Sequence, residues 1–221
     1  MERINLKIDD YDKWFDSTEG KAFFQSEAAA VRLLMKGLKP PFLEIGVGTG
    51  RFARELEIDF GIDPSVKMLS MAMTRGIKTK NAEGESLPFP DNSFGVVFIF
   101  FTLCFVRDPE KVLAESKRVL KPDGGLIIGF INRESTWGEL YLKKKSEGHP
   151  IYKYARFFSE GEISGLLKKT GFSAEAYSST LRRKPSDTPL EESAHSGLSE
   201  EAGFICILAR NCGSSGASDE Q

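Results

Sequence analysis

Short runs of hydrophobic residues alternate with segments of helical periodicity along most of the chain. The run at residues 96–101 is apolar at every position, which is typical of a strand buried on both faces of a parallel sheet. Three other apolar runs are further candidates for strands, residues 77–82 are a weaker one, and apolar residues recur at helical spacing between some of them. The predicted strands are residues 42–45, 58–63, 77–82, 96–101 and 126–131, and the predicted helices include residues 65–74 and 109–120. This alternation predicts an α/β fold.

The segment before the first strand carries a helical pattern of its own. Apolar residues near helical spacing predict a helix over residues 19–36, which ends at Gly37. Upstream of it, Tyr11 and Trp14 belong to a polar segment that holds more aromatic residues than a linker needs. Two interpretations stay open: an extra helix packed on the sheet, or a cap over a ligand with Tyr11 and Trp14 facing the substrate.

The alternation breaks after the fifth strand. Trp137 and Tyr141 belong to a predicted amphipathic helix within residues 132–157, and further aromatic residues follow it. An insertion at this point would lie over the carboxyl ends of the strands, where ligands of open α/β sheets bind. We therefore expect a substrate lid, with a dimer surface as the alternative.

The last part of the chain predicts two more strands and little else. Residues 172–182 and 204–210 are the last two predicted strands, and residues 183–202 between them are rich in polar residues and predict a long exposed loop. The Gly- and Ser-rich residues 211–221 predict a flexible tail. We thus expect a single domain over residues 1–210, with a helical cap at residues 1–40.

A glycine-rich turn follows the first predicted strand. Gly46, Gly48 and Gly50 stand on alternate positions before a helix start, a geometry that lets a ligand lie against bare backbone. A nicotinamide-binding fingerprint would need its third glycine where Arg51 stands. Glu44 precedes the turn, where a carboxylate would oppose a pyrophosphate and suit a cationic amino group. The turn therefore favours a ligand with an ammonium group over a dinucleotide.

The second predicted strand ends in a carboxylate, Asp63. An acid at the carboxyl end of the second strand of a βαβ unit is where a ribose diol is bound, through charge-assisted hydrogen bonds. The alternative is a cap on the helix that follows. The position after a strand favours the ribose.

Composition limits the partners and the compartment. The 221 residues are 40% hydrophobic with a formal net charge of −2, which suits one α/β domain and gives no basic footprint for nucleic acid. No apolar stretch is long enough to cross a bilayer, and the N-terminus does not resemble a signal peptide. The three cysteines lack metal-ligand spacing, so we expect no metal and a cytoplasmic location. His149 and His195 are expected at the surface.

Four segments together resemble the class I S-adenosylmethionine-dependent methyltransferases, especially the ubiquinone-biosynthesis-like (type 11) small-molecule group. The segments are Glu44-x-Gly46-x-Gly48-x-Gly50, Gly61-Ile62-Asp63-x-Ser65-x-x-Met68-Leu69, Glu85-Ser86-Leu87-Pro88-Phe89-x-Asp91-x-Ser93-Phe94 and Glu115-x-x-Arg118-Val119-Leu120-Lys121-Pro122-x-Gly124-Gly125. They occur in the family order within residues 42–131. The resemblance implies a Rossmann-like, doubly wound, mostly parallel seven-stranded sheet of order 3-2-1-4-5-7-6, with the last strand antiparallel and a helical cap.

The resemblance also implies a cofactor, S-adenosylmethionine, which would leave as S-adenosylhomocysteine. The positions implied to bind it are Glu44, Gly46, Val47, Gly48, Gly50, Asp63, Pro64, Met68, Glu83, Gly84, Glu85 and Phe101. Of these, Glu83, Gly84 and Glu85 would meet the adenine, and Met68 would pack on its ring. The expected substrate-pocket residues are Tyr11, Trp14, Phe101, Thr102, Trp137 and Tyr141.

Two positions depart from the family pattern. Gly95 stands where an aspartate usually opens the fourth strand, and we expect this to alter local hydrogen bonding rather than chemistry. Cys104 and Phe105 stand where a histidine often follows that strand, which removes a candidate base. No catalytic residue is therefore assigned.

The expected reaction is in-line methyl transfer to a small molecule, with catalysis mainly by proximity and orientation. The acceptor is expected to be a small molecule and neither nucleic acid nor membrane, with the enzyme a monomer or a homodimer. A small amine is the first alternative to a quinone-like carbon or oxygen acceptor. A non-catalytic module that binds S-adenosylmethionine is a further alternative, and a nicotinamide-dependent oxidoreductase is disfavoured by Arg51.

Overall fold

The computed structural model describes residues 8–185 and 188–212. The helices are α1 (Ile8–Trp14), α2 (Thr18–Met35), α3 (Arg51–Glu55), α4 (Val66–Thr74), α5 (Pro109–Val119), α6 (Thr136–Ser146) and α7 (Glu160–Lys169), with a 3-10 turn at Tyr152–Tyr154. The strands are β1 (Phe42–Ile45), β2 (Phe60–Asp63), β3 (Lys78–Asn81), β4 (Phe94–Phe100), β5 (Leu120–Ile131), β6 (Phe172–Thr180), β7 (His195–Ser196) and β8 (Phe204–Asn211). Asn211 thus belongs to a strand, and residues 213–221 of the predicted tail lie outside the described residues.

The described strands form one sheet of order β3-β2-β1-β4-β5-β8-β6-β7. The first five strands in this order run parallel, whereas β8 pairs antiparallel with both β5 and β6. The Rossmann-like prediction is confirmed, because β8 occupies the place of the predicted seventh strand. The eighth strand, β7, was not predicted, since two residues in a polar loop carry no periodic signal.

Helices cover both faces of the sheet, as the side chains of β4 illustrate. Val96, Phe98 and Phe100 pack into the cluster that α2 and α3 cover, whereas Val97 and Ile99 pack into the cluster that α5 and α7 cover. Successive residues of a strand point to opposite faces, so a strand between two helical layers is apolar at every position. This explains the continuous apolar run in the sequence.

Side chains next to the helices fix where the helices begin. The Ser17 hydroxyl accepts a hydrogen bond from the Gly20 N–H at 3.0 Å and starts α2. Asp108 accepts from the Lys111 N–H at 3.0 Å and precedes Pro109, which is the first residue of α5. These caps place α2 and α5 against opposite faces of the sheet.

The glycine at position 95 has a packing role. A Cβ atom at Gly95 would overlap the carbonyl oxygen of Lys39, which lies in the connection before β1. The Gly95 N–H also donates to the carbonyl oxygen of Pro41 at 2.9 Å. A side chain at position 95 would therefore collide with the backbone of this connection.

The described part of the chain has no helix that combines the length and the apolar character needed to cross a bilayer. Within the same residues, no group of three or more His, Cys, Asp or Glu side chains is arranged to hold a metal ion.

Candidate functional site

The glycine turn lies at the carboxyl end of β1, and all three of its glycines have positive φ angles. These are 76° at Gly46, 53° at Gly48 and 82° at Gly50. A Cβ atom at Gly46 would overlap the Thr102 side chain, and one at Gly50 would lie 3.0 Å from the Cα atom of Ala72. At Gly48 no atom would lie within 4 Å of an added Cβ. Packing thus explains the outer two glycines, whereas the middle one leaves open space against the backbone.

Glu44 lies beside this turn as a buried carboxylate. It is 3% exposed, and its Oε2 atom has no hydrogen-bond partner among the described residues. Burial and the nearby charge of Asp63 raise the pKa of Glu44 well above its usual range, although a hydrogen bond from the Ala53 N–H acts in the opposite direction. A cationic group bound at the turn would supply the missing partner and favour the ionised form.

Asp63 connects the glycine turn to the next helix. Its Oδ2 atom accepts a hydrogen bond from the Gly48 N–H at 3.1 Å, and its Oδ1 atom accepts from the Ser65 N–H at 2.8 Å. Burial raises the pKa of Asp63, and these two hydrogen bonds partly offset that effect. The N-cap of α4 is Ser65, whose hydroxyl accepts from the Met68 N–H at 3.4 Å. Asp63 therefore shapes the turn, and its contact with a ribose stays a prediction.

Three other expected cofactor positions surround this turn. Val47 is buried and packs so closely on Gly61 that a Cβ atom there would lie 2.6 Å from Val47 Cγ2. Pro64 and Met68 are both half-buried at the start of α4. Val47 thus contributes packing, and the binding roles of Pro64 and Met68 are untested.

The residues expected to meet the adenine follow β3 and have contacts of their own. Glu83 is exposed and forms an ion pair with Arg107 at 3.6 Å. Gly84 is buried, and a Cβ atom there would lie 2.9 Å from Ile45 Cγ2. Glu85 Oε1 accepts hydrogen bonds from the N–H groups of Arg107 at 3.0 Å and Asp108 at 3.4 Å. Glu85 thus holds the loop before α5, and the adenine contacts stay predictions.

An ion-pair network holds α1 against the glycine turn. Arg51 donates to both carboxylate oxygens of Asp12, at 3.0 and 2.9 Å, and Arg75 donates to the same carboxylate at 2.7 Å. Asp12 is 7% exposed. Burial raises its pKa, but the hydrogen bonds from Arg51, Thr49 and Arg75 outweigh burial and hold the pKa well below its usual range. Arg51, whose side chain the sequence left without a role, thus fastens the N-terminal helix over the site.

A cavity of about 510 Å³ lies beside the glycine turn. Its walls come from α1, α2, α6, the 3-10 turn and the carboxyl ends of β4 and β5. All six expected pocket residues line it: Tyr11, Trp14, Phe101, Thr102, Trp137 and Tyr141. Because Thr102 also packs on Gly46, the cavity and the glycine turn share a wall. The volume is in the range of small-molecule sites.

The six side chains differ in their exposure and in their packing around the cavity. Trp14 is 41% exposed and lies at the edge of the cavity, whereas Trp137 is 4% exposed and donates its Nε1–H to the Arg183 carbonyl oxygen at 2.8 Å. Trp137 thus holds the wall in place. Phe101 has a positive φ of 53° and packs its ring against Phe52 and Phe204. Such a strained backbone at the end of a central strand is frequent at functional sites.

Glu27, His149 and Tyr152 also line the cavity, and of these only Tyr152 was expected near the substrate, as one of the aromatic residues that follow the predicted helix. Glu27 projects from α2, and Tyr152 lies in the 3-10 turn. His149 was expected at the surface and is half-buried, with its ring stacked on Tyr152 at 4.4 Å between centroids. Burial and the nearby charge of Lys144 lower the pKa of His149. His195 is exposed, as expected.

Of Glu27, His149 and Tyr152, only Glu27 stands in a periodic segment that indicates which way its side chain faces. Glu27 interrupts the apolar side of a predicted helix, which is an unusual place for a carboxylate. His149 and Tyr152 follow the end of α6 in an irregular segment, where no periodicity indicates which side chains face inward.

Comparisons with known proteins agree with this architecture. The sequence model described as "Methyltransferase domain" matches residues 43–128. An uncharacterized protein of Mycobacterium tuberculosis is 44% identical over 90% of this chain and 70% of its own length. The ubiquinone/menaquinone biosynthesis C-methyltransferase of Klebsiella pneumoniae is 28% identical over 66% of this chain and 52% of its own length.

A solved structure is also similar over nearly the whole chain. It is an S-adenosylmethionine-dependent methyltransferase of Thermotoga maritima, described as a possible histamine N-methyltransferase. It is 38% identical, has a TM-score of 0.85, and the match covers 92% of this chain and 95% of that one. With the sheet order and the glycine turn, these similarities show that the chain belongs to the class I S-adenosylmethionine-dependent methyltransferases of the type 11 group.

Proposed function

We propose that this protein transfers the methyl group of S-adenosylmethionine to a small molecule bound in the cavity. One observation carries the proposal: the cavity and the glycine turn share Thr102 as a wall. A cofactor on the turn and an acceptor in the cavity would therefore be neighbours.

The residues around the turn fit the cofactor. Glu44 offers an unpartnered carboxylate oxygen to the amino group, the open space at Gly48 leaves backbone free for the amino-acid portion, and Asp63 is the candidate for the ribose. When bound, the cofactor supplies an electrophilic methyl group on a sulfonium. The contribution of the protein is then to orient the acceptor and to exclude water, which can lower a barrier by roughly 7–11 kcal/mol.

The thiol and phenol groups of the cavity favour hydrogen-bond donation over proton removal. Burial raises the pKa of the Cys104 thiol to about 12 and that of the Tyr152 phenol to about 12. Burial likewise raises the pKa values of Tyr11 and Tyr141 above their usual range. These groups stay protonated at neutral pH, which supports catalysis by positioning.

The remaining alternatives differ in what they predict for the cavity. A module that binds S-adenosylmethionine without catalysis gives the cavity no role. A quinone-like acceptor would match the named activity of the Klebsiella relative, and an amine would match the description of the Thermotoga structure. The higher identity and coverage of the Thermotoga protein favour the amine.

Two features support the expected domain organisation and the expected compartment, respectively. The segment 1–40 contributes α1 and the segment 132–157 contributes α6 to the walls, in line with a cap and a lid. The cysteines Cys104, Cys206 and Cys212 are unpaired, which supports the expectation of a reducing, cytoplasmic compartment.

Isothermal titration with S-adenosylhomocysteine tests the cofactor site. We expect the wild type to bind and Gly48→Ala to bind at least about tenfold more weakly, because the new methyl group would occupy the space left for the ligand. Gly37→Ala is the matched control, since Gly37 also has a positive φ, of 80°, and open space around it. Both variants carry a similar backbone strain of about 1–2 kcal/mol, so only Gly48→Ala should lose affinity.

A screen of amines, phenols and quinones for methyl transfer, read as S-adenosylhomocysteine formation, tests the reaction itself. Failure of the wild type to bind S-adenosylhomocysteine would contradict the whole proposal. Binding without turnover of any class of acceptor would favour the non-catalytic module.

A further inference from the structure

Glu27 is a buried carboxylate that the cofactor site does not use. It is 8% exposed and lies on the inner side of α2, where Phe23 and Val31 stand one turn before it and after it. It lines the cavity, and no hydrogen bond or ion pair engages its side chain within residues 8–185 and 188–212. A carboxylate in such a place normally has a partner, because burial of an uncompensated charge is costly.

The groups around Glu27 are neutral. Four groups lie close enough to interact with the charge of Glu27, and burial raises the pKa of each of them. They are Tyr11 of α1, Tyr141 of α6, Tyr152 of the 3-10 turn and Cys206 of β8. None of these groups supplies a positive charge.

Two basic side chains line the same cavity without pairing with Glu27. Lys144 places its Nζ atom 5.3 Å from the centroid of the Tyr141 ring. His149 stacks on Tyr152 and has a lowered pKa, so it is neutral at neutral pH. In the free protein the raised pKa of Glu27 favours the neutral carboxyl, and a cationic ligand would favour its ionised form.

The rest of the cavity wall suits an organic cation. Aromatic rings form much of the lining, and an ammonium over an aromatic face is attracted by the negative face of the ring. The lining rings include those of Tyr11, Trp14, Phe23, Tyr141, Tyr152 and Phe157. Edge-to-face packing of Tyr141 on Tyr152, at 4.7 Å between centroids, fixes two of these rings next to each other. One buried anion in an aromatic cavity matches a molecule with one ammonium group and an apolar body.

We propose that the methyl acceptor is an amine whose ammonium group pairs with the Glu27 carboxylate while its apolar body fills the aromatic cavity. This inference rests on the proposed function, because it assigns the acceptor of that same site. A quinone-like acceptor would leave Glu27 without a partner, whereas an amine satisfies it.

The same contact also provides an acceptor for the proton that an amine must lose before it can accept a methyl group. The proton moves from the ammonium nitrogen to a carboxylate oxygen, the N–H electron pair stays on nitrogen, and an O–H bond forms on Glu27. The pair has zero net charge before and after this step, so no charge is created in the cavity. The raised pKa of Glu27, about 8 as a result of burial, brings the carboxyl closer to the basicity of an amine.

Titration calorimetry with paired probes tests the inference. The complex of the protein with S-adenosylhomocysteine is titrated with 2-phenylethylamine, histamine and a set of alkylamines, each primary amine being compared with the alcohol of the same skeleton. We expect amines to bind the wild type at least about tenfold more tightly than the alcohols, and Glu27→Gln to remove that preference. Glu27→Asp keeps the charge and should retain part of the preference, which a purely structural role would not produce. Glu201→Gln removes an exposed charge at a position that does not line the cavity and serves as the matched control.

The outcomes separate the two proposals. If S-adenosylhomocysteine does not bind the wild type, the proposed function is wrong. If it binds but no amine in the set binds better than its alcohol, or if Glu27→Gln prefers amines as the wild type does, the amine inference is wrong and the proposed function stands. Unchanged affinity of Glu27→Gln for S-adenosylhomocysteine excludes misfolding as the cause of a lost preference.

Discussion

Replacement of Glu27 by Gln should change how the stability of the protein depends on pH. Burial raises the pKa of this carboxyl from its ordinary 4.5 to about 8 in the folded protein. The folded state therefore holds a proton that the unfolded chain has already released at neutral pH. The stabilising effect of the neutral form is complete below the unfolded value and is lost as the pH rises toward the folded value. Glutamine, which does not titrate, removes this dependence.

The expected magnitude follows from the two pKa values. Between them the unfolded state binds one proton fewer, so the free energy of unfolding of the wild type falls by about 1.4 kcal/mol per pH unit relative to Glu27→Gln. Across the interval from 4.5 to about 8, the relative loss is on the order of 5 kcal/mol. Above the upper value both states are ionised and the difference becomes constant.

Urea unfolding of both proteins at several pH values measures this effect. The free energies extrapolated to water are subtracted at each pH, which cancels the groups that titrate equally in the two proteins. Points spaced between about pH 5.5 and pH 7 fall on the steep part of the expected curve. Glu19→Gln, on the exposed first turn of the same helix, separates the effect of burial from that of net charge.

A difference that stays constant with pH would refute this reasoning. It would mean that the Glu27 carboxyl is as well solvated in the folded protein as in the unfolded chain. The cavity would then be wet around this group, and the argument that Glu27 needs a cationic ligand would lose its physical basis.

Three further predictions concern other parts of the site. Asp12→Asn should lower the free energy of unfolding by about 1–3 kcal/mol, because it weakens charged hydrogen bonds from Arg51. Hydrogen exchange should show that α1 opens faster, without an equal change in the exchange rates of the sheet. Gly46→Ala should destabilise the fold by about 2–4 kcal/mol in urea unfolding, because it adds left-handed strain and overlaps Thr102; a variant as stable as the wild type would contradict the packing described. A thiol reagent should label the exposed Cys212 first in the native protein, and rapid labelling of all three cysteines would show that the two inner thiols are accessible.

The two halves of the site depend on the fold in different ways. The cofactor half is local, since the turn at 46–50 and Asp63 belong to consecutive βα units and are joined by a hydrogen bond from the Gly48 N–H. The cavity is assembled from distant segments, because α1 and α2 precede the sheet whereas α6 follows β5. Substitutions in the turn should therefore act on cofactor binding, and those in the cavity on the acceptor.

The sequence by itself determined the central strand and the position of the glycine turn. A strand between two helical layers must be apolar at every position, so the run at 96–101 identified the central strand. The glycine turn could also be predicted from the sequence. Backbone with positive φ angles favours glycine, and Gly46, Gly48 and Gly50 all have such angles in the structure. Both patterns are local, because the residues that form the apolar run, like those that form the glycine turn, lie within a few positions of one another in the sequence.

The tertiary structure alone decided which side chains meet at the cavity. Helical periodicity shows that Glu27 faces inward, but an apolar wall of a cavity and an apolar core have the same pattern. Only the folded chain brings Glu27 close to Tyr141 and Tyr152, more than a hundred positions later, and leaves it without a hydrogen-bond or ion-pair partner among the described residues. The pairing of Asp12 with Arg51 is also long-range, across 39 positions. The composition of the chain fixes how many such charges exist, but their pairing depends on the packing of helices onto the sheet.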